Sequence, residues 1–296
     1  MSTALAESET ATSTQAATSP PTTGEVMTPT RGLDPLVVAQ HQHELREHGF
    51  TVFRNIISPS LLAALRQSID VHIANRIAEK CTEHYHGVNL IAWDPAFCTV
   101  ASDPLLLATF EGLLGDDCIL SSCNLGARIP GCTAQGLHRD TGIWGSSMPF
   151  MPFPVGIQTA WCIDDFTEDN GSTLLIAGSH CDPAPVGDRN GVKMTAPAGS
   201  IVAFDCQAFH AGGANSTTTI RRAALTLYIR SWIKPQTDHK RSFPTELIGQ
   251  TSPVMLRLLG FRRQSPVEMP DGQSIIINAP GATYFYDRPP AGPVAY

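Results

Sequence analysis

The order of apolar, polar and turn-forming residues divides the chain into helical and extended segments. Helices are predicted where Asp or Ser precedes Pro, because this pair favours the N-cap and the first helical position; they cover Asp34–Gly49, Ser58–Ala78 and Asp103–Gly115. Apolar runs rich in β-branched and aromatic residues predict strands at Phe50–Phe53, Ile119–Ile129, Val155–Ile163, Ser172–Ile176, Ser200–Phe204 and Ile220–Trp232. A last helix is predicted at Ser242–Leu259. Helices packed around a strand-rich core predict a single α+β domain.

The first 32 residues differ from the rest of the chain. They are rich in Ser, Thr, Ala and Pro and contain few large apolar side chains. Such a segment cannot bury enough surface to offset the entropy of ordering, so 1–32 is predicted to be a disordered tail and 33–296 the folded domain. Acidic residues and no arginine before Arg31 argue against a mitochondrial transit peptide. No apolar run approaches the length of a membrane span.

Charge and cysteine content narrow the expected partners and location. The formal net charge of −7 argues against nucleic acid and anionic membranes as partners. The eight cysteines are scattered, which favours reduced thiols and a cytoplasmic location over disulfides. Cys118, Cys123 and Cys132 match the spacing of no common zinc module. The sequence is compatible with a monomer and with a homodimer.

Two histidines and one carboxylate form the most informative pattern. His138 and Asp140 are two residues apart, and His210 follows much later in the chain. Two histidines and one carboxylate hold one face of a non-haem Fe(II) ion and leave the other positions open. In an extended strand, His138 and Asp140 project to the same side, and a returning strand would bring His210 beside them. The pattern predicts an iron oxygenase.

Arg221 begins the strand that follows His210. It shares its strand face with the apolar residues 223, 225, 227 and 229, whereas Arg222 shares the other face with Thr226, Tyr228 and Arg230. A hairpin is expected between the strand that runs into His210 and the one that starts at Arg221, with its turn at 211–216, and it would bring Arg221 back near His210. A guanidinium on a core face needs a carboxylate, which a dicarboxylic co-substrate would supply. The alternative is that Arg221 pairs with a protein carboxylate and that His210 is an ordinary core histidine.

The loop 141–154 directly follows Asp140 and is rich in large apolar residues: Trp144, Met148, Phe150, Met151 and Phe153. Loops of this length are often functional. The loop therefore has two interpretations, a surface loop that packs its side chains onto the core and a lid or pocket wall beside the metal.

Together these segments resemble the Fe(II)/2-oxoglutarate oxygenases of the phytanoyl-CoA dioxygenase (PhyH-like) family. The resemblance covers about Leu36 to Pro235 and rests on five segments: Gly49–Asn55, Gln135–Asp140, Asp169–His180, His210–Asn215 and Arg221-Arg222. It implies a double-stranded β-helix, a jelly-roll or cupin-like barrel, with flanking helices. It also implies that His138, Asp140 and His210 are the metal ligands and that Arg221 binds the distal carboxylate of 2-oxoglutarate.

The resemblance further implies co-substrate contacts for Gln135, Thr173, Trp144 and Asn124, although a Gln and a Thr on barrel strands also have ordinary hydrogen-bonding roles. One position departs from the family pattern. Several members carry a serine two residues after the last histidine, where this chain has Gly212. Because the carboxylate ligand Asp140 is present, no ligand position is vacant for a halide, and halogenation is disfavoured. The extended motif of ectoine hydroxylases is absent.

The expected function is that of a dioxygenase that uses Fe(II), 2-oxoglutarate and O2, with ascorbate in support. It would hydroxylate an unactivated carbon of a small or medium organic substrate, in natural-product biosynthesis, and release succinate and CO2. Desaturation, epoxidation and rearrangement are alternative outcomes of the same chemistry. Two alternatives of another kind are a catalytically silent jelly-roll binding module and a cupin metalloenzyme that uses no 2-oxoglutarate.

Overall fold

The computed structural model describes five main segments of the chain: 33–77, 84–87, 89–141, 148–184 and 190–261. Two short strands at 267–268 and 274–275 are also described, as backbone only, like residues 74–77 and 84–87. From Leu33 onward the described residues belong to one compact unit. The predicted tail 1–32 and Trp144 lie outside the described residues.

Among the described residues, four α-helices precede the first long strand: α1 (Pro35–His48), α2 (Pro59–Ile77), α3 (Pro95–Ala101) and α4 (Pro104–Leu114). Asp34 caps α1 by accepting a hydrogen bond from the Leu36 amide at 2.9 Å, and Gly49 ends the helix with a φ of 84°. The predicted positions of α1, α2 and α4 are confirmed. Helix α3 was missed, although Asp94-Pro95 carries the same signal.

The part of the chain that the structure describes has nine strands between α1 and the end of the barrel: β1 (Phe50–Phe53), β2 (His84–Gly87), β3 (Ile119–Arg128), β4 (Gly156–Cys162), β5 (Thr173–Leu175), β6 (Val192–Lys193), β7 (Ile201–Asp205), β8 (His210–Gly212) and β9 (Arg221–Ile229). The larger sheet has the order β1-β7-β4-β9-β3-β2, and the smaller sheet has the order β6-β5-β8. All pairs are antiparallel. The two sheets form the expected double-stranded β-helix with flanking helices.

The larger sheet is apolar on both faces. Its inner face contacts the smaller sheet through one buried cluster: Ala160, Cys162, Phe166, Leu175, Met194, Ala196, Val202, Phe204, Ala208 and Ala223. Its outer face packs on the helices, where the Trp161 ring lies 6.3 Å from the Phe97 ring and the Tyr228 ring 4.9 Å from the Phe110 ring. The outer face of β9 is therefore covered, which the alternation of residues along β9 did not predict.

Three predictions about connections are wrong. The segment predicted as one helix at Ser242–Leu259 contains separate short helices, α5 (His239–Ser242), α6 (Thr245–Ile248) and α7 (Pro253–Leu258), because Pro244 and Pro253 interrupt it. The expected hairpin before Arg221 does not form, since β8 pairs with β5 whereas β9 pairs with β3 and β4. The segment 211–216, predicted as a turn, begins within strand β8.

Within the described residues no single helix is long and apolar enough to span a membrane; α3 and α4, which are bent by 56° at their junction, meet the criteria of length and composition only when taken together.

Candidate active site

Side chains of His138, Asp140 and His210 converge at one end of the smaller sheet. One ligand atom from each residue lies within 4.8 Å of the others. The Asp140 carboxylate is 3.8 Å from Nε2 of His138 and 3.5 Å from Nε2 of His210. Among the described residues this is the group whose geometry fits a metal ion. The donor set, two imidazoles and one carboxylate, is the set that suits non-haem Fe(II).

Backbone hydrogen bonds hold the three residues together. His138 and His210 each donate an amide hydrogen bond to the other's carbonyl, both at 2.9 Å, and the Asp140 amide donates to the Cys206 carbonyl at 2.9 Å. A chain segment therefore does return beside His138, as expected. The expected strand through His138 and Asp140 is wrong, because His138 forms an isolated bridge and Asp140 lies in a 3₁₀ turn.

The imidazole rings are oriented for ligation through Nε2. The Nδ1 atom of His138 lies 2.8 Å from the Gly136 carbonyl, and that of His210 lies 3.1 Å from the Ala208 carbonyl. A neutral imidazole that donates from Nδ1 keeps the lone pair on Nε2, the arrangement usual for metal-binding histidines. Burial lowers the pKa of His210, which favours its neutral form. The ring of Phe204 lies 4.6 Å from that of His210.

Arg221, the first residue of β9, extends into the interior of the barrel. Its side chain is buried, its Nη2 donates to the Gly171 carbonyl at 2.6 Å, and its guanidinium lies 4.2 Å from the Phe166 ring. Its Nε is buried and has no hydrogen-bond partner. Burial lowers the pKa of Arg221 to about 10, so it is still charged at neutral pH. Among the ion pairs of the described residues none includes Arg221, which argues against pairing with a protein carboxylate.

Arg222 has the opposite environment, as the alternation of residues along β9 predicts. Its Nε and Nη2 both donate to the Asp164 carboxylate at 2.8 Å, and its Nη1 donates to Asp70 at 2.5 Å. These ion pairs raise the pKa of Arg222. Of these two neighbouring arginines, only Arg222 is paired with carboxylates of the described residues. Arg221 is therefore the one that can accept a carboxylate from a ligand.

Gln135 and Thr173 meet at Gly212, near Arg221. The Gln135 amide donates to the Gly212 carbonyl at 2.9 Å, and the Gly212 amide donates to Oε1 of Gln135 at 2.9 Å. Thr173 is the partner of Gly212 in the β5–β8 pair. A Cβ on residue 212 would lie only 2.8 Å from Oε1 of Gln135. The Gln135 side chain thus occupies the space next to the position where related enzymes carry a serine.

Asn124 lies farther along the same inner face, opposite Leu225 in the β3–β9 pair. Its side-chain oxygen accepts a hydrogen bond from the Asn89 amide at 3.2 Å. The structure therefore brings Gln135, Thr173 and Arg221 to one end of the barrel and places Asn124 apart from them. Trp144, the remaining predicted contact, cannot be placed because it lies outside the described residues.

Two buried polar residues near the site were missed by the sequence analysis. Arg128 lies directly opposite Arg221 in the β3–β9 pair and is 5% exposed. Gln207 accepts from the Met151 amide at 2.9 Å and donates to the carbonyls of Met151 and Phe153 at 3.0 and 3.2 Å. The available signal was a polar residue at the end of an apolar strand in each case, but their partners depend on long-range pairing.

The described part of the loop after Asp140 packs onto the end of the barrel. Met148, Met151 and Phe153 contact a buried cluster that contains Cys206 and Leu227. Because the Cys206 carbonyl also accepts from the Asp140 amide, this apolar segment is adjacent to the candidate metal ligands. Both interpretations of the loop are compatible with this packing.

Comparison with known proteins assigns the chain to a family. The sequence model described as "Phytanoyl-CoA dioxygenase (PhyH)" matches residues 45–223. The chain belongs to the phytanoyl-CoA dioxygenase family. As a member of this family with dioxygenase relatives, it is an oxidoreductase of the dioxygenase type.

Fungal dioxygenases are among its relatives. "Dioxygenase trt7" of Aspergillus terreus is 27% identical over 237 residues, which are 74% of this chain and 82% of the relative. "Multifunctional dioxygenase prhA" of Penicillium brasilianum is 35% identical over 147 residues, which are 45% of this chain and 48% of the relative.

Solved structures share the fold. The epimerase SnoN, crystallised with Fe3+, alpha ketoglutarate and nogalamycin RO, has a TM-score of 0.56 at 17% identity and covers 69% of this chain and 88% of its own. EctD from S. alaskensis, crystallised with 2-oxoglutarate and 5-hydroxyectoine, has a TM-score of 0.57 at 20% identity and covers 67% of this chain and 77% of its own. At these identities the likeness supports the double-stranded β-helix fold.

Proposed function

We propose that this dioxygenase uses Fe(II), 2-oxoglutarate and O2 to hydroxylate an unactivated carbon of a small or medium organic substrate. Two observations of different kinds support a natural product as that substrate. The relatives include fungal enzymes named multifunctional dioxygenases, and a protein of the same fold was crystallised with nogalamycin RO. The scattered cysteines, all free in the described part of the chain, support a cytoplasmic location.

The proposal rests on two imidazoles and a carboxylate that converge, together with a buried arginine that has no ion-pair partner among the described residues. His138, Asp140 and His210 would hold the iron through Nε2, a carboxylate oxygen and Nε2. Bound iron would let O2 oxidise 2-oxoglutarate and the substrate carbon together, with succinate and CO2 as co-products, and ascorbate would keep the iron ferrous. The protein supplies binding, orientation and exclusion of water.

Arg221 would bind the distal carboxylate of 2-oxoglutarate. Its fork of N–H groups matches a carboxylate, and its Nε still lacks an acceptor. Gln135 and Thr173 flank Gly212 nearby and would contact the same molecule. The family resemblance further suggests co-substrate contacts for Trp144 and Asn124, although Asn124 lies on the inner face farther from Arg221.

A catalytically silent binding module is the rival function. Such a module would keep the barrel but would not catalyse a reaction. A binding role alone does not explain why two imidazoles and a carboxylate converge in the same barrel as a buried arginine without an ion pair among the described residues. Desaturation, epoxidation and rearrangement are alternative outcomes at the same site. The products formed with the true substrate decide between them.

Succinate formation from 2-oxoglutarate with Fe(II), ascorbate and candidate substrates tests the function. We expect wild-type protein to form succinate and His210→Ala to lose this activity, because one metal ligand is gone. His239→Ala is the matched control, since His239 is also buried but lies away from the site. Turnover that survives in His210→Ala would contradict the iron assignment, and equal losses in both variants would attribute the effect to misfolding.

A further inference from the structure

Two buried arginines lie side by side inside the barrel. In the β3–β9 pair Arg128 is directly opposite Arg221. Residues opposite each other in an antiparallel pair share a face, and their Cβ atoms are about 4.5–5.5 Å apart. Both side chains are 5% exposed. Two guanidinium groups are therefore buried next to each other in the interior.

Within the described part of the chain, no carboxylate is in direct contact with either charge. Neither arginine takes part in an ion pair among the described residues. Each has a buried Nε without a hydrogen-bond partner. Like charges directly opposite each other destabilise a sheet, and an unpaired buried charge is costly. Such an arrangement is expected where a bound anion completes the site.

Arg128 lies against the space that Gln135 and Thr173 flank. Its Nη1 would be 3.4 Å from a Cβ on Gly212, and its Cγ would be 3.0 Å from a Cβ on Gly171. Gly212 pairs with Thr173 in the smaller sheet, and Gly171 lies two residues before Thr173. Arg128 thus borders the same space as Gln135 and Thr173, the residues that would contact the co-substrate.

We propose that Arg128 is a second guanidinium of the co-substrate pocket and that it makes the pocket selective for a 2-oxo dicarboxylic acid over a 2-oxo monocarboxylic acid. This inference rests on the proposed function. Arg221 meets the distal carboxylate, and Arg128 supplies a second positive charge that only a ligand with that carboxylate neutralises. A ligand without it leaves both guanidinium groups unpaired.

A purely structural role is the competing explanation. The Nη2 of Arg128 donates to the carbonyls of Thr133 and Gly213, and so it ties the segment after β3 to the turn after β8. Arg128→Gln removes the charge and keeps an amide that can donate to these carbonyls. Arg128→Lys keeps the charge and removes the planar fork. The two variants therefore separate charge from structure.

The experiment is isothermal titration calorimetry on Ni(II)-loaded protein with two ligands, 2-oxoglutarate and 2-oxopentanoate, which lacks the distal carboxylate. We expect Arg128→Gln to bind 2-oxoglutarate about 10- to 100-fold more weakly, the loss of a hydrogen bond to a charged group, with 2-oxopentanoate unchanged. Arg128→Lys should keep most of the preference for 2-oxoglutarate. Arg222→Gln, on the outer face of β9, should bind both ligands as the wild type does.

Three results would overturn the inference. One is 2-oxoglutarate affinity in Arg128→Gln equal to that of the wild type. The second is an equal loss of affinity for both ligands in Arg128→Gln. The third is loss of the preference for 2-oxoglutarate in Arg128→Lys alone. Either of these two results would show that Arg128 acts through its hydrogen bonds to the Thr133 and Gly213 carbonyls. Wild-type protein that does not bind 2-oxoglutarate would instead overturn the proposed function, and this inference with it.

Discussion

Replacing Arg221 by Met is the substitution that separates a ligand-binding arginine from a structural one most clearly. Methionine keeps an unbranched side chain of similar reach and removes the charge. The Arg221 guanidinium donates to the Gly171 carbonyl at 2.6 Å and lies 4.2 Å from the Phe166 ring, and its Nε has no acceptor among the described residues. Removing this charge should therefore leave the free energy of unfolding of the ligand-free protein nearly unchanged or raise it.

The expected loss of co-substrate affinity is large. Removing one partner of a buried charge pair costs about 3–5 kcal/mol, because the other charge is left uncompensated. At about 1.4 kcal/mol for each tenfold change, this corresponds to roughly a 100- to 4,000-fold rise in the KM for 2-oxoglutarate. The second arginine, Arg128, would offset part of the loss, so the lower end of this range is expected.

Arg222→Met is the matched control. Arg222 is the next residue along β9, and both of its ion pairs, with Asp164 and Asp70, lie on the other face. Its loss should lower the free energy of unfolding by about 1–3 kcal/mol, because the bidentate pair is partly buried. It should leave the KM for 2-oxoglutarate unchanged.

The assay is succinate formation at varied 2-oxoglutarate concentrations, with thermal unfolding of the ligand-free proteins recorded in parallel. The reasoning is refuted if Arg221→Met keeps the wild-type KM. It is refuted equally if Arg222→Met raises the KM as much, or if Arg221→Met unfolds far below the wild-type temperature without ligand.

Two further predictions concern neighbouring residues. Gly212→Val should raise the KM for 2-oxoglutarate in the same assay, because its Cβ would lie 2.8 Å from Oε1 of Gln135 and displace that side chain; an unchanged KM would contradict this. Burial raises the pKa of Asp205 from 3.8 to about 7, so the folded state favours the protonated carboxyl. This preference stabilises the folded state fully below pH 3.8, and the stabilisation is lost as the pH rises to about 7. Asp205→Asn should flatten this part of the curve of unfolding free energy against pH, and an unaltered slope would show that Asp205 is not its source.

Local signals in the sequence predicted the elements that depend on neighbouring residues. Asp34 and Gly49 marked both ends of α1, and alternation along β9 placed Arg221 inside and Arg222 outside. Whether one face of a strand is free or covered by helices is not a local property, so the burial of Tyr228 on the outer face was not predicted.

Features that depend on pairing between distant segments were missed. The position of Arg128 opposite Arg221 follows from the register of β3 on β9, which shifts between Leu120 and Ser122. No local pattern encodes that shift. The predicted hairpin does not form for a related reason. Strand β7 belongs to the larger sheet, whereas strand β8 belongs to the smaller one.

A crystal structure of the protein prepared without oxygen, with iron and 2-oxoglutarate, tests the central claim most directly. Anomalous scattering from iron locates the metal independently of any assumption about ligands. We expect one iron bonded to Nε2 of His138, Nε2 of His210 and a carboxylate oxygen of Asp140. Iron bound at another position, with these three side chains free of metal, would contradict the account.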